Sequence, residues 1–394
     1  MTTTKGSANI VTKSRQTMSG GTQRIRDRWA AAPGWARWSV YIALIIGALL
    51  LPSSAIGGFM TPRSDWATVL FYPIAVYVAL AIGLNVVVGY AGLLDLGYVA
   101  FFAIGGYAMA VLGTMWGWSF WEILVVGVLL TSVSGLILGA PTLRLRGDYL
   151  AIVTLGFGEI VRISAQNTDA IGGPRGIAGI PHPPTLSDFE IFGIRPLRYG
   201  VLDPRPYYYL LVLLIVLTII FVKRLENSRV GRAWGAIRED EDAAELMGVP
   251  TFRYKLAAFA IGAAIGGAVG VVWAAKVISI IPANFPFFLS ATILAAVVLG
   301  GSGNIPGVML GAFLIAWLPE RFRVFQDYRV LLFGAALVLM MALRPEGIWP
   351  SRRRQAELAE GTGGMGALGA EVGGPGGEVE AEARTPETGR GAGP

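Results

Sequence analysis

About ten continuous apolar stretches, several near the roughly 20 residues an α-helix needs to cross hydrocarbon, limit what this chain can become. They run approximately Trp38 to Ile56, Ala67 to Val88, Val99 to Trp116, Ile123 to Ala140, Tyr149 to Ser164, Tyr207 to Val222, Tyr254 to Trp273, Phe287 to Leu299, Val308 to Trp317 and Val330 to Leu343. Their Gly and Ala content favours close helix crossings, and they lack the alternation of a transmembrane barrel. The short eighth and ninth stretches are expected to form a broken or re-entrant pair. With 54% hydrophobic and 15% charged residues, the chain has too little polar surface to cover a water-soluble globule. The expected fold class is an all-α integral membrane protein, a polytopic bundle of about ten transmembrane or partly re-entrant helices with internally repeated, Gly-broken segments.

Charge placement sets the expected topology. Residues 1–34 are polar and basic, with Lys5, Lys13, Arg15, Arg24, Arg26 and Arg28 and no short apolar signal core, so they read as a cytoplasmic tail. Counting crossings from there puts Arg144 and Arg146, residues 223–255 and Arg352 to Arg354 inside, in agreement with the positive-inside rule. The turn Glu320 to Arg329 carries three arginines outside and fits that rule less well. The transmembrane domain is placed at residues 35–345, with a Gly- and Pro-rich external loop at 166–206 and an internal loop at 223–255. Residues 346–394 are expected to be a disordered cytoplasmic tail, because they contain almost no large apolar side chains. The net charge of +6 sits mostly at helix ends, so no nucleic-acid partner is expected and the lipid bilayer is.

Enzyme and metal chemistry find little support. Cysteine is absent, the one histidine, His182, reads as a solvated loop residue, and no HExxH spacing occurs. No GxxxxGK followed by Ser or Thr is present to cradle nucleotide phosphates, so any ATPase must be a separate chain. Neither cofactor nor catalytic residue is expected.

The internal loop reads RVGRAWGAIREDEDAAELMGVPTFRYK, with good helix formers, an acidic run at Glu239 to Asp242, and Gly248 followed by Pro250 as a stop. One reading is an amphipathic helix lying on the headgroups. The other is a compact element that carries force from a motor into the membrane. Asp242-Ala243-Ala244 followed by Gly248 resembles the Glu-Ala-Ala, then Gly, loop of bacterial ABC importers, with Asp in place of Glu. On that resemblance the expected ATPase contacts are Gly231, Arg232, Glu239, Asp240, Asp242, Ala243, Ala244 and Gly248, with Ala243 and Ala244 as close-packing points.

Two Gly-interrupted regions, Gly89 to Tyr98 and Gly300 to Gly307, point either to unwound helices around a transport path or to tight helix crossings. Glu159 and Arg162 lie three residues apart on one helical face at membrane depth, where each charge costs about 2.5 to 3.5 kcal/mol unless paired or wetted. They either lock helices as a mutual pair or line the path of a zwitterionic solute. Asn85, Tyr90, Asp95 and Tyr98 either face the same wet path or cap helix ends beside glycines.

Several stretches together resemble one family, the M-type (LivM) permease subunits of branched-chain amino acid importers. They are GYAGLLDLGYVAFFAIGGYAMAVL from Gly89, RLRGDYLAIVTLGFGEIVRI from Arg144, GGPRGIAGIP from Gly172, GRAWGAIREDEDAAELMGV from Gly231, FAIGAAIGGAVGVVWA and LGGSGNIPG. The resemblance covers approximately Ala67 to Pro345. It implies a prokaryotic inner-membrane location, a second, H-type permease, two cytoplasmic ATPases and an external solute-binding protein. It also implies transport of leucine, isoleucine or valine. Related permeases for urea or short amides depart from the Gly147 to Thr154 wording kept here. The alternatives are an ABC permease for urea or short amides and an ion-coupled secondary transporter, the latter with Asp95 and Glu159 as its candidate groups.

Overall fold

The computed structural model of the protein describes residues 46–52, 65–143, 145, 147–185, 199–200, 202–321, 331, 334–335, 338 and 347–349. The basic amino-terminal tail, Arg144, Arg146, most of the first and last expected spans, the middle of the external loop and the carboxy-terminal tail lie outside these residues.

Among the described residues the expected spans are helices, most of them extended by a few residues at their ends. They are α1 (Trp66–Tyr90), α2 (Val99–Met115), α3 (Phe120–Thr142), α4 (Asp148–Asn167) and α5 (Arg205–Glu226), then α8 (Thr251–Val277), α9 (Phe287–Gly300) and α10 (Ile305–Arg321). Two short helices, α6 (Arg229–Glu239) and α7 (Glu241–Leu246), occupy the expected internal loop. By length and composition α1, α3, α5, α8 and α9 with its preceding turn qualify as membrane spans.

Local chemistry explains where helices begin and bend. Asp65 accepts from the Thr68 backbone N–H and opens α1. At Tyr72 the backbone turns extended, with φ −135° and ψ 120°, ahead of Pro73, and α1 kinks there. Glu122 reaches back to the Ser119 N–H at 3.0 Å, closing the first turn of α3.

Cross-chain contacts separate the two ends of the bundle. At one end the last turns of α1, α3 and α5 meet α6, α7 and the start of α8. There Tyr90 bonds to Glu226, Trp234 Nε1 donates to the Tyr254 carbonyl at 2.8 Å, and Lys255 Nζ donates to the Leu143 carbonyl at 3.2 Å. At the other end the loop after α4 joins the link between α8 and α9. Ile177–Ala178 (β1) and Ser279–Ile280 (β2) pair antiparallel, Ile177 opposite Ile280. That two-residue pair gives the Gly-rich loop, expected to be external, a fixed point. Consecutive long helices therefore alternate in direction.

Helix α8 is the centre, packed against α3, α2 and α1. Close approach is what its glycines provide. A Cβ on Gly267 would collide with the Thr131 side chain, and one on Gly105 would collide with the Gly267 backbone. The outer faces are apolar instead of polar. Val125, Leu129, Val133 and Ile137 of α3 and Leu213, Leu217 and Ile220 of α5 are exposed, the pattern of helices solvated by lipid.

Candidate translocation cleft and coupling segment

Between α1 and α2 the chain runs without helix from Ala91 to Tyr98. Non-helical backbone at membrane depth is tolerated only where its polar groups find partners, since each orphan costs several kcal/mol in hydrocarbon. Here side chains supply them. Thr154 Oγ1 accepts from Leu96 N at 3.0 Å, Asp95 Oδ1 from Gly97 N at 2.9 Å and Ser290 Oγ from Val99 N at 3.0 Å, while the Val87 carbonyl accepts from Leu93 N at 3.0 Å. Tyr98 is fully buried and donates its hydroxyl to the Gly262 carbonyl at 2.9 Å.

The second break, Gly301 to Asn304, lies beside the first. Gly303 N donates to Asn85 Oδ1 at 2.8 Å, and a Cβ on Gly89 would collide with both of those atoms. Residues 347–349 close over this break, with Ile348 N on the Leu299 carbonyl at 2.8 Å and Asn304 Nδ2 on the Trp349 carbonyl at 2.8 Å.

The six expected path residues thus separate. Asn85, Asp95 and Tyr98 are buried within the chain and hold the breaks in shape. Tyr90 sits at the α6 end, its hydroxyl 3.4 Å from Glu226 Oε2. Glu159 and Arg162 line a shallow, open cleft. The cleft lies between the first break and the start of α2 (Leu96, then Val99 and Ala103), the middle of α4, and the entry to α9 (Phe285, Pro286, Phe287).

Glu159 Oε2 receives Arg162 Nε at 2.9 Å and Nη2 at 2.8 Å, and both side chains remain about 30% exposed. Counting along α4, the pair lies roughly 16 Å from its start, near mid-helix. The cleft therefore combines one anion, one cation and an apolar wall. The Phe285-Pro286-Phe287 part of that wall was not expected from sequence, because it reads only as the start of a span. Phe285 also packs edge-on against Phe102 and Trp273, with ring centroids 5.5 and 5.6 Å apart. No group of three or more His, Cys, Asp or Glu that could hold a metal occurs among the described residues.

The expected coupling segment divides in two at Asp240. Helix α6 is a buried anchor: Ala233, Trp234, Gly235 and Ile237 pack into the bundle. Helix α7 projects. Asp240 leaves helical geometry, with φ −155°, and its carboxylate accepts from Asp242 N and Ala243 N at 2.9 and 3.0 Å. Gly248 closes the turn at φ +84°, a conformation that only glycine adopts without strain.

The expected contact residues fall on both sides of this division. Arg232, Glu239, Asp242 and Ala243 are exposed. Gly231 is half-buried where a Cβ would strike the Glu226 carbonyl, so its role is in the turn. Ala244, expected as a close-packing point for a partner, is 5% exposed and already packed within its own chain. Leu246 and Met247 were missed; they stand at the tip of α7, 88% and 85% exposed. Only their place in a charged loop, as a paired apolar step before a turn glycine, could have marked them.

Lys255, missed as well, is nearly buried and forms an ion pair with Glu241 at 2.5 Å while donating to the end of α3. His182, read as solvated, is half-buried. Its Nδ1 lies 2.5 Å from the Tyr207 hydroxyl and 3.1 Å from the Ala275 carbonyl.

The profile of the family described as branched-chain amino acid transport system / permease component matches residues 67–341. The chain is 43% identical over 340 residues to the high-affinity branched-chain amino acid transport system permease protein LivM of Escherichia coli K12, covering 81% of this chain and 76% of that protein. It is 28% identical over 258 residues to the probable branched-chain amino acid transport permease protein LivM of Methanocaldococcus jannaschii, covering 58% and 69%. It is 25% identical over 284 residues to the permease protein LivH of Escherichia coli K12, covering 69% and 90%. No solved structure matches.

Proposed function

We propose, since this chain belongs to the branched-chain amino acid transport permease family, that it is the M-type membrane subunit of an ABC importer for branched-chain amino acids. Its likeness to LivM exceeds its likeness to LivH, which supports that assignment within the pair. In this reading a second, H-type permease shares the membrane path, two separate ATPases dock on the α6–α7 end, and a solute-binding protein delivers substrate to the opposite end. The α6–α7 end is then cytoplasmic, as are both termini. The chain performs no chemistry of its own.

One observation carries the reading: the buried α6 anchors a projecting α7 whose tip shows two bare apolar side chains. Two such side chains in water are what a partner's groove covers. Glu159 and Arg162 fit the same reading. A zwitterionic amino acid presents an ammonium to the carboxylate and a carboxylate to the guanidinium, while its aliphatic side chain meets the apolar wall.

The test is purification from the native membrane in mild detergent, followed by reconstitution with a solute-binding protein loaded with leucine. Recovery of an ATPase and a second permease, with leucine uptake driven by ATP, is the expected result. A lone oligomer that transports under an ion gradient would overturn the reading.

A further inference from the structure

Helix α6 ends in a side chain that reaches the first helix break. Arg238 is half-buried, and its Nη1 donates to the Gly89 carbonyl at 2.5 Å, across 149 residues of sequence. Its stem packs on the same break: a Cβ added to Gly92, which holds φ +73°, would come within 2.9 Å of Arg238 Cγ. The break is gripped from the other side of the coupling segment too, since the Tyr90 hydroxyl bonds to Glu226 at the end of α5. From Gly89 the contacts continue inward. Gly89 lies against Asn85 Oδ1 and Gly303 N, so the second break is in direct contact with the first.

We infer that Arg238 is the positioning residue through which movement of the coupling helices reaches both helix breaks. The inference rests on the importer reading above and adds to it the point of mechanical attachment. A guanidinium suits the task because a charged donor makes a stronger hydrogen bond to a carbonyl than a neutral one, and its planar fork loses little entropy on being fixed. The Gly89 carbonyl, at the end of α1, is one of those that lack an intrahelical partner, so this contact completes the helix as well as gripping it. The remainder of α6 is fixed by Trp234 on the start of α8, so rotation of α6 about that anchor displaces Arg238 and the break together.

The experiment uses the complete transporter in proteoliposomes and measures leucine uptake and ATP hydrolysis in parallel. Arg238→Met keeps the packed stem and removes the donor. Uptake per ATP hydrolysed is expected to fall about fivefold or more, the lower range for a coupling free energy between sites. ATPase activity should stay within about twofold of wild type, and Arg238→Lys, which keeps a charged donor, should recover most of the ratio. An unchanged ratio in Arg238→Met overturns the inference.

If that variant does not assemble, hydrogen exchange on the wild-type complex decides. The amides of residues 89–93 should change protection between the nucleotide-free state and ATP with vanadate, together with those of α6. Movement of α6 without any change at 89–93 overturns the inference. Absence of ATP-driven uptake in the wild-type complex would instead remove the importer reading itself.

Discussion

The Gly303 N–H donates to Asn85 Oδ1 at 2.8 Å, joining two helix breaks that are 218 residues apart in sequence. Asn85 is fully buried, and Gly303 N is held in a turn that offers it no helical acceptor. One amide side chain therefore links the two breaks directly.

Replacing Asn85 with Leu removes that acceptor and leaves the half-buried Gly303 N–H without it. The cost expected is about 1 to 3 kcal/mol. Thermal unfolding of the detergent-purified complex should show the lower midpoint. An unchanged midpoint would mean that the breaks are held by other contacts.

Neutralising the cleft pair separates a structural role from a path-lining one. Glu159→Gln or Arg162→Gln alone leaves a charge without its partner at membrane depth, worth up to about 3 kcal/mol on insertion scales and less where water enters. The double variant removes that penalty. Its unfolding midpoint should return toward wild type while leucine uptake stays lost. Restored uptake in the double variant would reduce the pair to a structural lock.

At the tip of α7, Leu246→Glu with Met247→Glu should leave the fold untouched, because both side chains are almost fully exposed. Binding should suffer. Burial of such a pair in a groove contributes on the order of 2 kcal/mol or more, so retention of the ATPase during purification should drop at least about tenfold. Equal retention would place the docking surface elsewhere on α6 and α7.

Gly267→Ala should destabilise the bundle, since the new methyl meets the Thr131 side chain and crowds the crossing with α2. Overpacking of this kind costs about 1 to 3 kcal/mol. Adding Thr131→Ala removes the hydroxyl and methyl and should recover part of the loss in unfolding midpoint. No recovery would locate the strain in the Gly105 backbone instead.

The eight long helices among the described residues were legible because an apolar run of a given length has few alternatives in a bilayer, and their limits moved by only a few residues. The two breaks were legible for a related reason, as Gly clusters interrupt those runs. What Asp95 and Tyr98 do was not, because a polar side chain beside a glycine looks the same whether it lines a cavity or satisfies a buried backbone group. Only the distant partners decide, and Thr154, Ser290 and Gly262 lie far away in sequence. Ala244 failed for the same reason: a small residue fits a groove on a partner or one within its own chain, and here Val249 N folds back onto its carbonyl at 3.0 Å. Arg238 and Lys255 passed as ordinary loop charges, since nothing local shows that one reaches α1 and the other α3.

The division at Asp240 also bears on how such chains diverge. Residues of α6 answer to their own bundle, so a change there calls for a matching change in α1, α5 or α8. On the importer reading proposed above, residues 241–248, apart from Glu241 and Ala244, answer to whatever docks on them, and a turn glycine and a carboxylate cap bound them at either end. That short piece behaves as an address label: exchanged between related permeases, it would redirect a chain to another motor, whereas an exchanged α6 would need its whole neighbourhood to come with it.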